Sequence, residues 1–379
     1  MSEAFAEAAI PLIKDKTYVK SLQAEASLRI ADYSLLDDPI ESYRLGLMWQ
    51  PVDGYLLRAN YARAQRAPNI TEALSPPRGD FDNFEDICAD VTATSMEEGH
   101  DACRLEPGIA AAIAENGIFE DENIGYSPNT GNQFLKEETA DTYTLGLVVS
   151  PPQVKDLNIA IDFYDITVDG AIEQINNEDI LRNCYASSVA FGEGNRFWND
   201  IRRDAEGQII EVQQRVENLN QLTTRGYDIA VSYKYDIGEY GDLRFRADMT
   251  HVIEHSVSFV GNDGLEVVNN NGQLRTGIFE DVASASVSWR KDNWRVRWSA
   301  NFRSSSVDDH DRVEDYLERF ADNQALLDAG DPDAILNPEV PAYLFYGSFI
   351  RHNLSISYDL ELDNDVEVRL FGGARNMFN

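Results

Sequence analysis

The sequence predicts an all-β fold: an antiparallel transmembrane β-barrel, represented in this chain by an open, curved sheet. Three observations predict it. Apolar and polar residues alternate strictly along many segments, those segments are long, and the connections between them alternate between short and long. From Trp294 to Arg303 the even positions (Trp294, Val296, Trp298, Ala300, Phe302) are apolar and the odd ones polar. Leu243, Phe245, Ala247 and Met249 oppose Arg244, Arg246, Asp248 and Thr250 in the same way. Ala283 to Arg290, Tyr227 to Tyr235 and Leu354 to Leu360 repeat the pattern. A helix needs apolar residues at i, i+3 and i+4, whereas strand side chains change face at every residue.

Length separates a membrane wall from a soluble sandwich, which also alternates but turns its apolar face inward. Segments 17–33, 208–236 and 344–361 far exceed the roughly 5–6 residues of ordinary strands. Short turns are expected at Pro11–Lys16, Gln50–Gly54, Pro151–Asp156, Asp236–Gly241, Lys291–Asn293 and Glu361–Asn364. Between them lie polar segments 34–40, 67–136, 170–207, 258–277 and 306–343. Short turns on one rim and long loops on the other are the habit of outer-membrane barrels, and about twelve strands in six hairpins are expected. Trp49 and Tyr55 flank one short turn, Trp289 and Trp294 another, and Tyr358 precedes a third, as an interfacial aromatic girdle would. The longest loop contains a helical signal, Glu106 to Gly117, with Pro near its start and Gly at its end.

Composition narrows the class. Mean hydropathy is −0.39, and no apolar run approaches the ~18–20 residues of a membrane helix. With 66 acidic against 32 basic residues the net charge is −34, the reverse of a nucleic-acid-binding footprint. Three cysteines are too few for a disulfide scaffold. Cys88 and Cys103 share one polar segment, which suits a local disulfide in an oxidising compartment; two unpaired thiols are the alternative. The N-terminus lacks a basic region, a continuous apolar stretch and a small-residue cleavage site, so the chain is expected to be a piece of an exported protein.

Five segments resemble those of TonB-dependent receptors. They are LRANYARAQRAPNITEALSPP from Leu57, LKEETADTYTLGLVVSPP from Leu135, LNIAIDFYDITVDGAIEQI from Leu157, VENLNQLTTRGYDIAVSY from Val216 and the final GGARNMFN. The resemblance covers nearly the whole chain apart from loop interiors. It implies that residues 1–379 are the C-terminal part of the receptor barrel, about 12 of its 22 strands. The plug domain, TonB box, signal peptide, first strands and last strand would lie outside the chain. One departure stands out: Asn183-Cys184-Tyr185 is followed by Trp198 where the family often places a partner cysteine, which implies a free Cys184.

The resemblance further implies a protein of the Gram-negative outer membrane that takes up a scarce nutrient (ferric siderophore, haem, cobalamin or oligosaccharide). Its partners would be membrane lipid and lipopolysaccharide, its own plug, the TonB complex and a small-molecule ligand, not nucleic acid. A passive porin or other binding barrel is the alternative. No GxSxG, HExxH, GxxxxGK[ST] or GxGxxG signature appears, so an enzyme is not expected, nor a cofactor. His251 and His255 would share a strand face, and Asp308 to Asp311 with Glu314 and Asp315 would cluster acids. Such a histidine pair is more often simply exposed, the acids lack EF-hand spacing and its glycine, and no metal is expected. An arginine facing lipid at mid-depth costs about 2–4 kcal/mol, so the polar face must turn inward. Arg58, Asn60, Arg244, Arg246, Arg295 and Arg297 are therefore lumen and ligand candidates, while Arg66, Ala67, Pro68, Asn69 and Glu72 match the family motif and are expected to anchor a loop.

Overall fold

The computed structural model describes all residues except 80–83, 123–124, 188–190, 193, 219–220, 262–263, 333, 337, 339, 363–365 and 379. Twelve long strands form one sheet in strictly sequential order. They are β1 Ser2–Lys16, β2 Val19–Asp32, β3 Ile40–Gln50, β4 Tyr55–Arg66, β5 Glu138–Val149, β6 Leu157–Asp169, β7 Gln221–Asp236, β8 Asp242–Gly261, β9 Asp281–Lys291, β10 Trp294–Arg303, β11 Phe349–Leu362 and β12 Val366–Arg375. Every neighbouring pair is antiparallel, and a further strand, Gly264–Asn269, extends the upper half of β8 into a hairpin. The two shortest wall strands, β10 and β12, have 10 residues each, within the ~9–11 that a tilted membrane strand needs.

Register fixes two faces. Trp289 lies opposite Val296, Trp298 opposite Leu354 and Trp294 opposite Tyr358, all on one face. Arg244, Ser288, Arg297 and Ser355 form a row on the other. The apolar face is not covered: Leu45 and Leu145 are each 57% exposed, Trp294 43% and Phe245 38%. No helix among the described residues is long and apolar enough to cross a membrane. Indoles at the short-turn rim are anchored: Trp49 donates Nε1–H to the Tyr18 carbonyl (3.1 Å) and Trp289 to that of Tyr240 (2.8 Å).

Four expectations need correction. Pro11–Lys16 is not a turn but the end of β1, which bulges between Pro11 and Ile13 and turns at Thr17–Tyr18. An edge strand tolerates proline because its outer N–H groups need no ladder partner. Segment 208–236 is not one strand: Ile209–Val212 and Gln214–Asn218 belong to the loops, and only Gln221–Asp236 joins the wall. Likewise 344–361 begins with the separate pair Phe345–Tyr346. His251 and His255 do not share a face. Arg225 pairs with Glu254 but Gly226 with Val252, so a bulge at Ile253 inverts the parity between them. The turn at Glu361–Asn364 falls partly outside the described residues.

The two longest loops fold together over the ends of β4 to β7. They carry α1 Ile70–Leu74, α2 His100–Cys103, α3 Pro107–Asn116 and α4 Asn177–Tyr185. α3 starts on proline and ends on Gly117 in the left-handed conformation (φ 85°), where a β-carbon would strain the backbone. Segments Asn129–Thr130, Gln214–Asn218 and Ile172–Gln174 form a small sheet that ties one loop to the other. The hydrophobic core lies here, built from Phe84, Val91, Ile109, Phe119, Ile180, Leu181, Phe197 and Val212. A later loop carries α5 His310–Ala329, whose residues are all at least partly exposed.

Candidate functional site

Across the polar face, strand period presents the arginines and register supplies their partners. Arg29 meets Glu3 (2.5 Å), Arg44 meets Glu25, and Arg58 holds Asp162 through both carboxylate oxygens (2.7 Å). Arg58 and Asp162 are not on adjacent strands: Gly146 lies between them in register. A β-carbon on Gly146 would come within 2.2 Å of Asp162 Oδ1 and 2.5 Å of Arg58 Nε. The missing side chain is what lets this ion pair cross a whole strand. Asn60 has Gly46 opposite it on one side and donates to the hydroxyl of Thr144, opposite it on the other (3.2 Å).

At the loop end of β4 the chain is clamped. Asn69 caps α1 in a reciprocal capping box with Glu72, which satisfies two otherwise orphaned N–H groups. Arg66 binds Glu72 (2.9 Å) and Glu138 of β5, while Ala67 and Pro68 are buried beneath the corner. This geometry fixes the direction in which the chain leaves the wall.

The cap above is stapled. Cys88 and Cys103 form a disulfide, and Cys184 is a buried free thiol. Arg203 and Asp86, with side chains only 5% and 0% exposed, form an ion pair at 2.5 Å. Arg203 also donates to the Tyr185 hydroxyl and to the Gly207 carbonyl (2.8 Å each), and Tyr185 donates to Glu106 (2.8 Å). Burial alone would lower the Arg203 pKa, but its hydrogen bonds to Asp86 raise it above the ordinary value. Burial pushes the Cys184 thiol up to about 12, raises the Tyr185 hydroxyl, and raises the carboxyls of Asp179 and Asp200.

Towards the other end of the sheet, Arg244, Arg246, Arg295 and Arg297 border two adjoining depressions of about 430 and 450 Å³. No group of three or more His, Cys, Asp and Glu is placed to hold a metal among the described residues. In the acidic stretch, Asp309 instead caps α5 through the Asp311 N–H (2.9 Å), and Asp308 pairs with Arg312 (3.2 Å).

The model of the β-barrel of TonB-dependent receptor-like proteins matches residues 2–377. The chain belongs to the TonB-dependent receptor family. No match was found among curated proteins. Among solved structures, a point mutant of the ferric enterobactin receptor PfeA from Pseudomonas aeruginosa is 14% identical with a TM-score of 0.54; the match covers 99% of this chain and 39% of that one. The siderophore receptor PirA from Acinetobacter baumannii is 14% identical with a TM-score of 0.50, over 99% of this chain and 42% of that one. The FrpB iron transporter from Neisseria meningitidis is 14% identical with a TM-score of 0.50, over 100% and 40%. At this identity the likeness is one of fold, and this chain spans about two fifths of the length of those three proteins.

Sequence reading missed the cross-strand partners Asp162 and Asp359 and the buried Asp86–Arg203 pair. It also missed a second aromatic cluster on the apolar face, nearer the loops. Tyr61 packs between Tyr43 and Tyr143 (ring centroids 6.0 and 4.8 Å) and donates to Asp141, which Arg63 also holds (2.7 Å each). A tyrosine towards the loop end of three successive strands, β3 to β5, would have been the signal.

Proposed function

We propose that this chain forms wall and outer loops of an outer-membrane receptor that actively takes up a scarce nutrient with TonB-supplied energy. One observation carries the reading: an uncovered apolar face and a charged, hydrogen-bonded opposite face occur on the same strands, beneath a folded loop cap on one rim. Apolar side chains outward suit hydrocarbon, and arginines inward avoid its cost. In this reading the cap and the candidates Arg58, Asn60, Arg244, Arg246, Arg295 and Arg297 meet the ligand or a plug. Arg66, Ala67, Pro68, Asn69 and Glu72 hold the cap in place. A plug, the contact with the TonB complex and the remaining strands would come from parts of the receptor beyond this chain, with lipid and lipopolysaccharide around the wall. The siderophore and iron receptors among the structural neighbours favour an iron chelate over haem, cobalamin or oligosaccharide.

The test is uptake of radiolabelled ferric siderophores by iron-starved cells with and without the gene, with and without a protonophore. Gene-dependent, protonophore-sensitive accumulation is expected. Accumulation that survives the protonophore and follows solute size points to a passive porin instead.

A further inference from the structure

The charge balance of the polar face changes along the sheet. Over β2 to β4 the arginines Arg29, Arg44 and Arg58 are neutralised inside the wall. Over β7 to β10 a group of cations is not. Lys234 lies opposite Arg244, Arg244 opposite Ser288, and Ser288 opposite Arg297, in one continuous row. Arg246 stands two residues above Arg244, and Arg290 and Arg295 face each other in the row below Ser288 and Arg297. Arg295 reaches Asp359 at 2.9 Å and Lys234 reaches Asp242 at 3.4 Å. Arg297 has only the Ser286 hydroxyl, at 3.4 Å. Among the described residues, neither the Arg244 nor the Arg246 side chain has an ion pair or hydrogen bond.

Composition does not account for this. The chain carries 66 acidic and 32 basic residues, yet the acids nearest this cluster, Asp242, Asp359 and Asp156, leave Arg244, Arg246 and Arg297 without an ion pair. Like charges opposite each other on neighbouring strands destabilise a sheet, and the cluster persists only with compensation from outside the wall. Serines 286, 288, 355 and 357 separate the cations, leaving the two depressions, which share Arg244, Ser288 and Arg297. Guanidinium forks and hydroxyls are an oxyanion-binding set. The spacing sets the guest's size. Arg244 and Arg297 are two strand intervals apart, about 10 Å, and Arg246 lies about 7 Å from Arg244 along the strand. Side chains spread over that area do not converge on one small ion.

We propose that Arg244, Arg246, Ser288 and Arg297 form a binding site for a polyanion whose several carboxylate or phosphate groups are spaced about 5–10 Å apart. The two small adjoining depressions suit a diffusible molecule. The inference rests on the uptake reading to the extent that these residues face the lumen, and its test is independent of uptake.

The test uses the intact receptor in detergent at low ionic strength, titrated with citrate and with tripolyphosphate against chloride of matched ionic strength. Tryptophan emission serves as a readout, because Trp289 lines one depression, and thermal unfolding as a second. Saturable binding is expected, weakened roughly tenfold to a hundredfold by Arg244→Gln with Arg297→Gln and several-fold by Ser288→Ala. Arg29→Gln, which removes the same charge from a neutralised part of the wall, should leave the affinity unchanged. If the wild type binds neither probe, yet the double Gln variant unfolds at lower temperature and salt abolishes the difference, the site is filled by the protein's own acidic stretch and the diffusible guest is ruled out. Absence of both effects, or binding that all three variants leave unchanged, overturns the proposal. Loss of uptake with anion binding intact would sink the transport reading and leave this one standing.

Discussion

The wall and the cap are built on opposite rules. In the wall, large apolar side chains such as Leu145 and Leu45 are more than half exposed, while arginines such as Arg29, Arg44 and Arg58 form cross-strand pairs on the other face. In the cap, Phe119, Ile109, Phe197 and Val212 are buried and a disulfide closes one loop. The cap is thus built as a water-soluble core is, and the wall's apolar face as a surface for hydrocarbon. One chain satisfies both because strand period sorts side chains to two faces, whereas the cap must gather distant residues into a centre.

The largest effect expected from breaking this contrast lies in the cap. Asp86→Ala strands a buried guanidinium and should cost about 3–5 kcal/mol. Limited proteolysis should then cut the cap while the strand content seen by circular dichroism stays intact. Loss of the whole sheet would mean that cap and wall are one cooperative unit. In the wall, Leu145→Arg should cost about 2–4 kcal/mol when refolded into bilayers, whereas Ser284→Arg on the other face, opposite Asp248, should be nearly neutral. A surface substitution in water stays within about 0.5 kcal/mol, so a small effect at Leu145 would remove lipid from that face.

Gly146→Ala sharpens the comparison within the wall. The new methyl group must displace the Arg58–Asp162 pair. Because Arg58 is 43% exposed, the loss should be only about 1 kcal/mol, read from the urea midpoint, and Asp162→Ala should abolish the difference between Gly and Ala. The smallest effect concerns Cys184. Its thiol pKa is raised to about 12 from an ordinary 9.0, so the neutral form is favoured by the fold. The associated stability is intact below pH 9 and is lost as pH rises towards 12. Native protein at pH 7.5 should resist maleimide labelling at Cys184 that proceeds after denaturation; rapid native labelling would show the cap to be open.

The sequence by itself determined the strands, their two faces and which rim carries the long loops, because each is written in residues a few positions apart. Alternation in 294–303 states which side chains oppose which, and the Pro and Gly bounding α3 mark its ends. Tertiary structure decided what required distant partners. Asp86 and Arg203 are 117 residues apart, and Arg58 and Asp162 are 104 apart with a glycine from a third strand between them. A single-residue bulge at Ile253 sends His255 to the face opposite His251, against the local pattern. Periodicity is a local property, whereas charge compensation depends on which strands become neighbours; that is why the arginines were legible one by one and the paired and unpaired halves of the wall were not.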